Sequence, residues 1–235
     1  MGFHAVLAIL ERQPRQVEVV WLGEGVGGMR AKQVLAATRQ AGVRFAKVSR
    51  RQLDGIAKGV AHNGFAARVA PVPFASGDEL LHLPAPACLL AVDGVEDPRN
   101  LGALIRVAAG LGLGGVVVGG PHPPPLGGAV AKTAAGTLSL IPITRTGSLG
   151  DWVRRASEAG FSVWGADPRG RPVQEVELPE KMLLCLGGER GLRAKTRQAV
   201  EGMLAIPLSA QVDSLNLSVA AAILAWEWRR RYPAC

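Results

Sequence analysis

Three stretches of this chain set polar side chains among residues that favour burial. They are Asn100-Leu-Gly-Ala-Leu-Ile-Arg106, Leu186-Gly-Gly-Glu-Arg-Gly-Leu192, and the run from Ile206 to Ser218 that carries Ser214, Asn216 and Ser218. Polar groups in such places must find partners or serve a ligand. A guanidinium on an otherwise apolar helix, as at Arg106, needs an anion or several acceptors. Gly187 and Gly188 follow an apolar run at a strand end, where an open α/β sheet usually binds its ligand. Plainer roles stand beside these: Asn100 as a helix cap, Glu189 as a carboxylate bonded to helix-terminal amides, Arg106 in an internal salt bridge, and Ser214 to Ser218 as a loop and cap. Dinucleotide binding fails on context, because Gly110-Leu-Gly-Leu-Gly-Gly115 leaves a helix and enters a strand, the reverse of the required order. No Walker sequence or zinc-ligand cluster occurs, and no metal is expected.

The elements needed to position these residues follow from the pattern. Near the N-terminus the reading is a helix from Gly2 to about Arg12, a strand Val17–Trp21, a helix Met29–Gln40, a strand Val43–Val48, a helix Arg51–Lys58 and a strand Phe65–Val72. That alternation predicts a small α/β domain over residues 1–75. Pro71, Pro73, Pro84 and Pro86, with Ser76 and Gly77, mark Pro71–Pro86 as the boundary, with a stiff linker at 76–86 containing one apolar turn, Leu80–Leu83. A second domain, 87–235, then alternates strands (87–92, 114–118, 141–143, 162–166, 183–186, 205–208) with helices (100–111, 149–159, 193–202, 217–231). This predicts a mostly parallel sheet covered on both faces, with a polar turn at Gly165–Arg171.

The three stretches resemble the motifs of the SpoU/TrmH family of RNA ribose 2'-O-methyltransferases, and the resemblance extends over nearly the whole chain. It is nearest to members that methylate a guanosine of 23S ribosomal RNA. It implies a catalytic domain with a deep trefoil knot, preceded by an accessory RNA-binding domain like a ribosomal protein. It implies S-adenosylmethionine as cofactor, held by Thr133, Gly136, Leu186, Gly187, Gly188, Ile206, Leu208 and Leu215. Asn100, Arg106, Glu189, Ser214 and Asn216 become the catalytic set: Arg106, held by Glu189 and Asn100, would stabilise the developing alkoxide while Ser214 and Asn216 orient the ribose. RNA would be met by Arg39, Arg44, Lys47, His62, Asn63 and Lys132, the last opening a string, Lys132-Thr-Ala-Ala-Gly136, that resembles a loop of the family. The family usually reads His-Gln-Gly where this chain has His62-Asn63-Gly64, and it places two residues between the glutamate and the next glycine where only Arg190 stands here. A homodimer through the Leu217–Arg231 helix is also implied. Transfer RNA as substrate, or a non-catalytic ribosome-associated role, are the competing readings.

Composition sets the outer bounds. The chain has 235 residues, 48% of them hydrophobic, enough for one good core or one medium and one small. A net charge of +8 permits an anionic partner. Cys88 and Cys185 lie in apolar runs and Cys235 is terminal, with no disulfide or metal spacing, which fits a reducing compartment. No signal peptide or membrane span is read, so the cytoplasm is the expected location.

Overall fold

The structure is a computed structural model that describes residues 1–70 and 72–233. The expected linker residue Pro71, within the expected third strand, and Cys235 lie outside them. The chain divides into two compact units, Met1–Val72 and Pro73–Cys235.

The first unit comprises α1 (Phe3–Arg12), β1 (Val17–Gly23), α2 (Gly28–Gln40), β2 (Arg44–Val48), α3 (Arg50–Ala57) and β3 (Phe65–Val69). Its sheet has the order β2-β1-β3, with β1 parallel to β2 and antiparallel to β3. Val6 and Leu10, one turn apart on α1, pack with Val20, Leu22, Val34 and Phe65 into the core of this unit. Helix α3 starts where Ser49 and Gln52 exchange hydrogen bonds: the Gln52 amide donates to Ser49 Oγ (3.3 Å) and the Ser49 amide to Gln52 Oε1 (2.9 Å). The chain leaves α3 through Lys58 in the left-handed conformation, at φ 46°.

The second unit opens with α4 (Gly77–Leu81), inside the stretch expected as a linker; its Leu80 and Leu81 are buried in this unit's core. Then follow β4 (Ala87–Asp93), α5 (Pro98–Gly110), β5 (Gly115–Gly119), α6 (Gly128–Ala134), β6 (Ile143–Thr146), α7 (Leu149–Glu158), β7 (Ser162–Pro172), β8 (Lys181–Gly187), α8 (Ala194–Ala199), β9 (Gly202–Ala205) and α9 (Leu217–Arg229). The sheet order is β6-β5-β4-β8-β7-β9, and every strand pair is parallel. Every residue of β4 is buried, as the central strand of a sheet covered on both sides must be. Leu89 and Ala91 face α7, packing with Trp152, Val153 and Ala156, so the alternate residues Cys88, Leu90 and Val92 point to the other face. Helices α5 and α9 lie against each other and against β4, β5 and β8. Burial pushes the Cys88 thiol up to about 12 and the Cys185 thiol above its ordinary value, so both serve as small apolar groups.

Two sequence expectations change. The polar turn expected at 165–171 is an outward bulge within β7: Ala166 and Arg171 both pair with Leu204, leaving the residues between them outside the ladder. The Lys132-to-Gly136 string, expected as a loop, is the last turn of α6 with Ala135 as its left-handed cap. Among the described residues no helix is long and apolar enough to cross a membrane, and no group of three or more candidate side chains could hold a metal.

Candidate active site

The C-terminal ends of β4 and β8 lie side by side, Asp93 beside Gly187. The turn after β8 folds back closely: the Gly188 amide donates to the Asp93 carbonyl (2.9 Å) and the Gly191 amide to the Gly188 carbonyl (3.0 Å). Side chains cannot be accommodated here. A Cβ on Gly187 would lie 2.2 Å from the Gly191 carbonyl carbon, and one on Gly188 would lie 2.4 Å from the Gly94 carbonyl oxygen. The buried Asp93 carboxylate fixes the far side of the turn by accepting from the Arg193 amide (3.1 Å) and Nε (2.6 Å).

This turn delivers Glu189 to the start of α5. Its carboxylate accepts from the Glu96 amide (3.0 Å), the Asp97 amide (3.2 Å) and Asn100 Nδ2 (3.2 Å). Partial burial alone would raise its pKa, but backbone amides of Glu189, Glu96 and Asp97 together with Asn100 outweigh that and hold it below the usual value. Asn100 continues the chain of bonds: its Oδ1 accepts from Asn216 Nδ2 (2.9 Å). Asn216 in turn caps α9, accepting from the Ser218 amide (3.0 Å) and hydroxyl (2.7 Å). The three sequence stretches therefore meet through Glu189, Asn100 and Asn216.

Beside this junction lies a cavity of 420 Å³. Leu186, Gly187, Gly188, Ile206, Leu208 and Leu215 line it, as do Asn100, Glu189, Ser214 and Asn216. Ser214 is exposed and makes no hydrogen bond among the described residues. Sequence reasoning missed one wall, Ala166 to Pro168, contributed by the β7 bulge. The signal was present as Pro168 and Gly170 inside a strand pattern, which marks a bulge. In that wall Asp167 is nearly buried, bonded to Arg197 Nη2 and accepting from the Arg169 amide (2.9 Å). The Arg197 hydrogen bond first, then the Arg169 amide, hold its pKa at about 2.

Three expectations need correction. Asn100 is not the cap of α5: Asp97 is, its Oδ1 accepting from the Arg99 amide at 2.8 Å. Arg106 is not buried and is not held by Glu189 and Asn100. It is exposed, with no hydrogen bond or ion pair among the described residues. The buried stripe of α5 is Leu101, Leu104, Ile105 and Ala108, and helical rotation carries residue 106 to the solvent side despite its apolar neighbours in sequence. The Glu189 oxygens are meanwhile occupied by amides. Thr133 and Gly136 do not line the cavity. Thr133 bonds back to the Ala129 carbonyl (3.1 Å), on a helix pressed against α5 so closely that a Cβ on Gly102 would meet the Val130 oxygen at 2.6 Å.

The residues expected to meet RNA are less concentrated. Arg39 is exposed on α2 and Lys132 on α6. Arg44 and Lys47 are both exposed on β2, but alternation sends them to opposite faces of the sheet. His62 is held in place: its Nε2 lies 2.8 Å from Asp54 Oδ1 and its Nδ1 accepts from the Gly64 amide at 3.0 Å. Asn63 is exposed beside it in the left-handed conformation, at φ 47°.

A parallel α/β sheet with a glycine-walled cavity at its strand ends, joined to a small α/β unit, is the architecture of an RNA 2'-O-ribose methyltransferase. The chain belongs to the SpoU rRNA methylase family, whose description it matches over residues 87–226, while residues 1–75 match "RNA 2'-O ribose methyltransferase substrate binding". Among curated relatives it is 33% identical to the "23S rRNA (guanosine-2'-O-)-methyltransferase RlmB" of Vibrio cholerae, over 96% of this chain and 94% of that one. A solved structure named "RNA 2'-O ribose methyltransferase" is 26% identical with a TM-score of 0.75, covering 97% of this chain and 86% of the other. The SpoU methyltransferase AviRb of Streptomyces viridochromogenes, solved with AdoMet, shares the fold at a TM-score of 0.79 and 22% identity, over 98% and 88% of the two chains.

Proposed function

We propose that this enzyme uses S-adenosylmethionine to methylate the 2'-oxygen of a guanosine ribose in 23S ribosomal RNA. The observation that carries the reading is the bonded junction of Glu189, Asn100 and Asn216 at the edge of the 420 Å³ cavity. The cavity fits the cofactor by size and chemistry. Leu186, Ile206, Leu208 and Leu215 offer apolar walls to an adenosine, and Gly187 and Gly188 allow close approach to backbone. When bound, S-adenosylmethionine supplies an electrophilic methyl on a positively charged sulfur.

The chain's own residues then have distinct tasks. Asn100 and Asn216 fix each other and leave the neighbouring Ser214 hydroxyl free to orient the ribose. Arg106, exposed on the same helix as Asn100, is available to the RNA phosphate and to the oxygen that gains charge on losing its proton. Glu189 holds Asn100 and the loop before α5, and so acts as a positioning residue. Assembly as a homodimer through α9 belongs to the same reading. Val219, Ile223 and Trp226 recur at helical spacing and are 46%, 37% and 54% exposed, whereas Ala221, Leu224, Ala225 and Trp228 are buried in their own subunit.

The test is a methylation map of ribosomal and transfer RNA from cells with and without the gene. Loss of a single 2'-O-methylguanosine from 23S RNA is expected. A loss confined to transfer RNA would move the substrate assignment, and an unchanged map would remove it.

A further inference from the structure

The second face of the first unit's sheet is covered only in part, by α3, where Leu53, Ala57 and Ala66 are buried. Strand alternation puts Val20 and Leu22 in the core and turns Val19 and Trp21 the other way. Register then sets Trp21 between Ala46 of β2 and Ala66 of β3, and Val19 between Arg44 and Arg68. Small residues therefore lie directly across both strands from the half-buried indole. The Arg68 guanidinium lies over the indole ring, 5.2 Å from its centroid. Helix α3 overhangs this face, and between them lies a cavity of 700 Å³ lined by Trp21, Val48, Ile56, Lys58 and Arg68 among others. No residue that lines it is acidic. Lys58, carried outward by its left-handed backbone, forms no ion pair among the described residues, and neither does Arg68.

We propose that this cavity is a stacking site for an unpaired nucleobase of single-stranded RNA, with the Trp21–Arg68 pair as the platform and Lys58 on the adjoining phosphate. The inference rests on the reading that the first unit binds RNA. An aromatic face flanked by cations in a groove without carboxylates matches the chemistry of single-stranded RNA, whose bases offer flat faces and whose backbone is anionic. Duplex RNA is a poor fit, since its bases are already stacked. The cavity on the other side of α3 is larger, at 840 Å³, but Glu24 and Asp54 line it, so it is less suited to a polyanion.

The experiment measures binding of fluorescein-labelled rA12 and of an rA12–rU12 duplex to the full-length protein by anisotropy, across a salt series. Trp21→Leu, which keeps apolar volume, is expected to weaken rA12 binding about 10-fold, as loss of one base stack implies. Its salt dependence and duplex affinity should stay as in the wild type. Trp21→Phe should retain most of the affinity. Lys58→Ala combined with Arg68→Ala should lower the salt slope. If folded Trp21→Leu binds rA12 within twofold of wild type, the stacking site is wrong. The same holds if wild type does not bind rA12 at all. Binding of 23S RNA by the wild-type chain, scored separately, decides whether the broader RNA reading survives either result.

Discussion

Arg106 is the side chain on which the proposed division of the chemistry turns. Because it is exposed and forms no ion pair among the described residues, Arg106→Ala should change stability by no more than about 0.5 kcal/mol, as for other surface substitutions away from special features. Methyl transfer under saturating RNA and cofactor should nevertheless fall by roughly 100-fold or more, with lysine a poor substitute for the forked donor. Single-turnover rates corrected for folded protein check this, and a rate within a few-fold of wild type would remove Arg106 from the reaction. Glu189→Gln should act differently. It keeps the shape but replaces an ionic acceptor with a neutral amide facing the Glu96 and Asp97 amides, so cofactor affinity and rate should fall together while Arg106→Ala affects rate alone. Asp167 sets a pH dependence. Its folded pKa of about 2 lies below the ordinary 3.8, so the stability it contributes is full above that ordinary value and disappears as pH falls through about 2. Thermal unfolding between pH 4 and 2 should therefore decline less in Asp167→Asn than in wild type. Residue identity was legible for Asn100, Glu189 and Asn216. The setting of Arg106 was not, because linear neighbours say little about which side of a helix a residue takes.

Elements carry the next level. α9 has two apolar stripes, and only one is buried against the rest of the chain. Trp228 is 1% exposed and its Nε1 donates to the Pro179 carbonyl at 2.9 Å; its loss to alanine should cost about 3–5 kcal/mol by the usual cavity accounting. On the other stripe, Ile223→Glu should leave the subunit folded and shift sedimentation at micromolar concentration from dimer to monomer. A fully active monomer of the wild type would sink the assembly reading. The helix as a whole was legible from its apolar run, and the division of its surface was not, since the sequence does not say which stripe meets β8. The same gap explains the β7 bulge, where Asp167, Pro168 and Arg169 looked like a turn between elements. Only the pairing of Ala166 and Arg171 with one residue of β9 makes it a wall of the cavity. At the start of α5 the competition between Asp97 and Asn100 for the cap is settled by Pro98, which suits the first helical position and places Asp97 just before it.

For the whole molecule, the two units are expected to separate by task. A chain shortened to residues 73–235 should bind S-adenosylmethionine by calorimetry with affinity close to the intact protein, and lose much of its affinity for ribosomal RNA at matched salt. Equal RNA affinity in the two forms would place recognition on the second unit. That a small α/β unit precedes a parallel sheet could be read from alternation of apolar runs, because that pattern follows directly from burial. The sheet order could not, since β4 lies between β5, made soon after it, and β8, made far later. The same order has a consequence for biosynthesis. Asn100 is incorporated well before Glu189, and Asn216 later still, yet the three must bond to one another to shape one end of the cavity. A nascent chain that has reached β7 already holds the helix bearing Asn100, but neither of the side chains that bond to it. The bonded junction beside the cavity can therefore close only once the segment bearing Asn216, which caps α9, has been made.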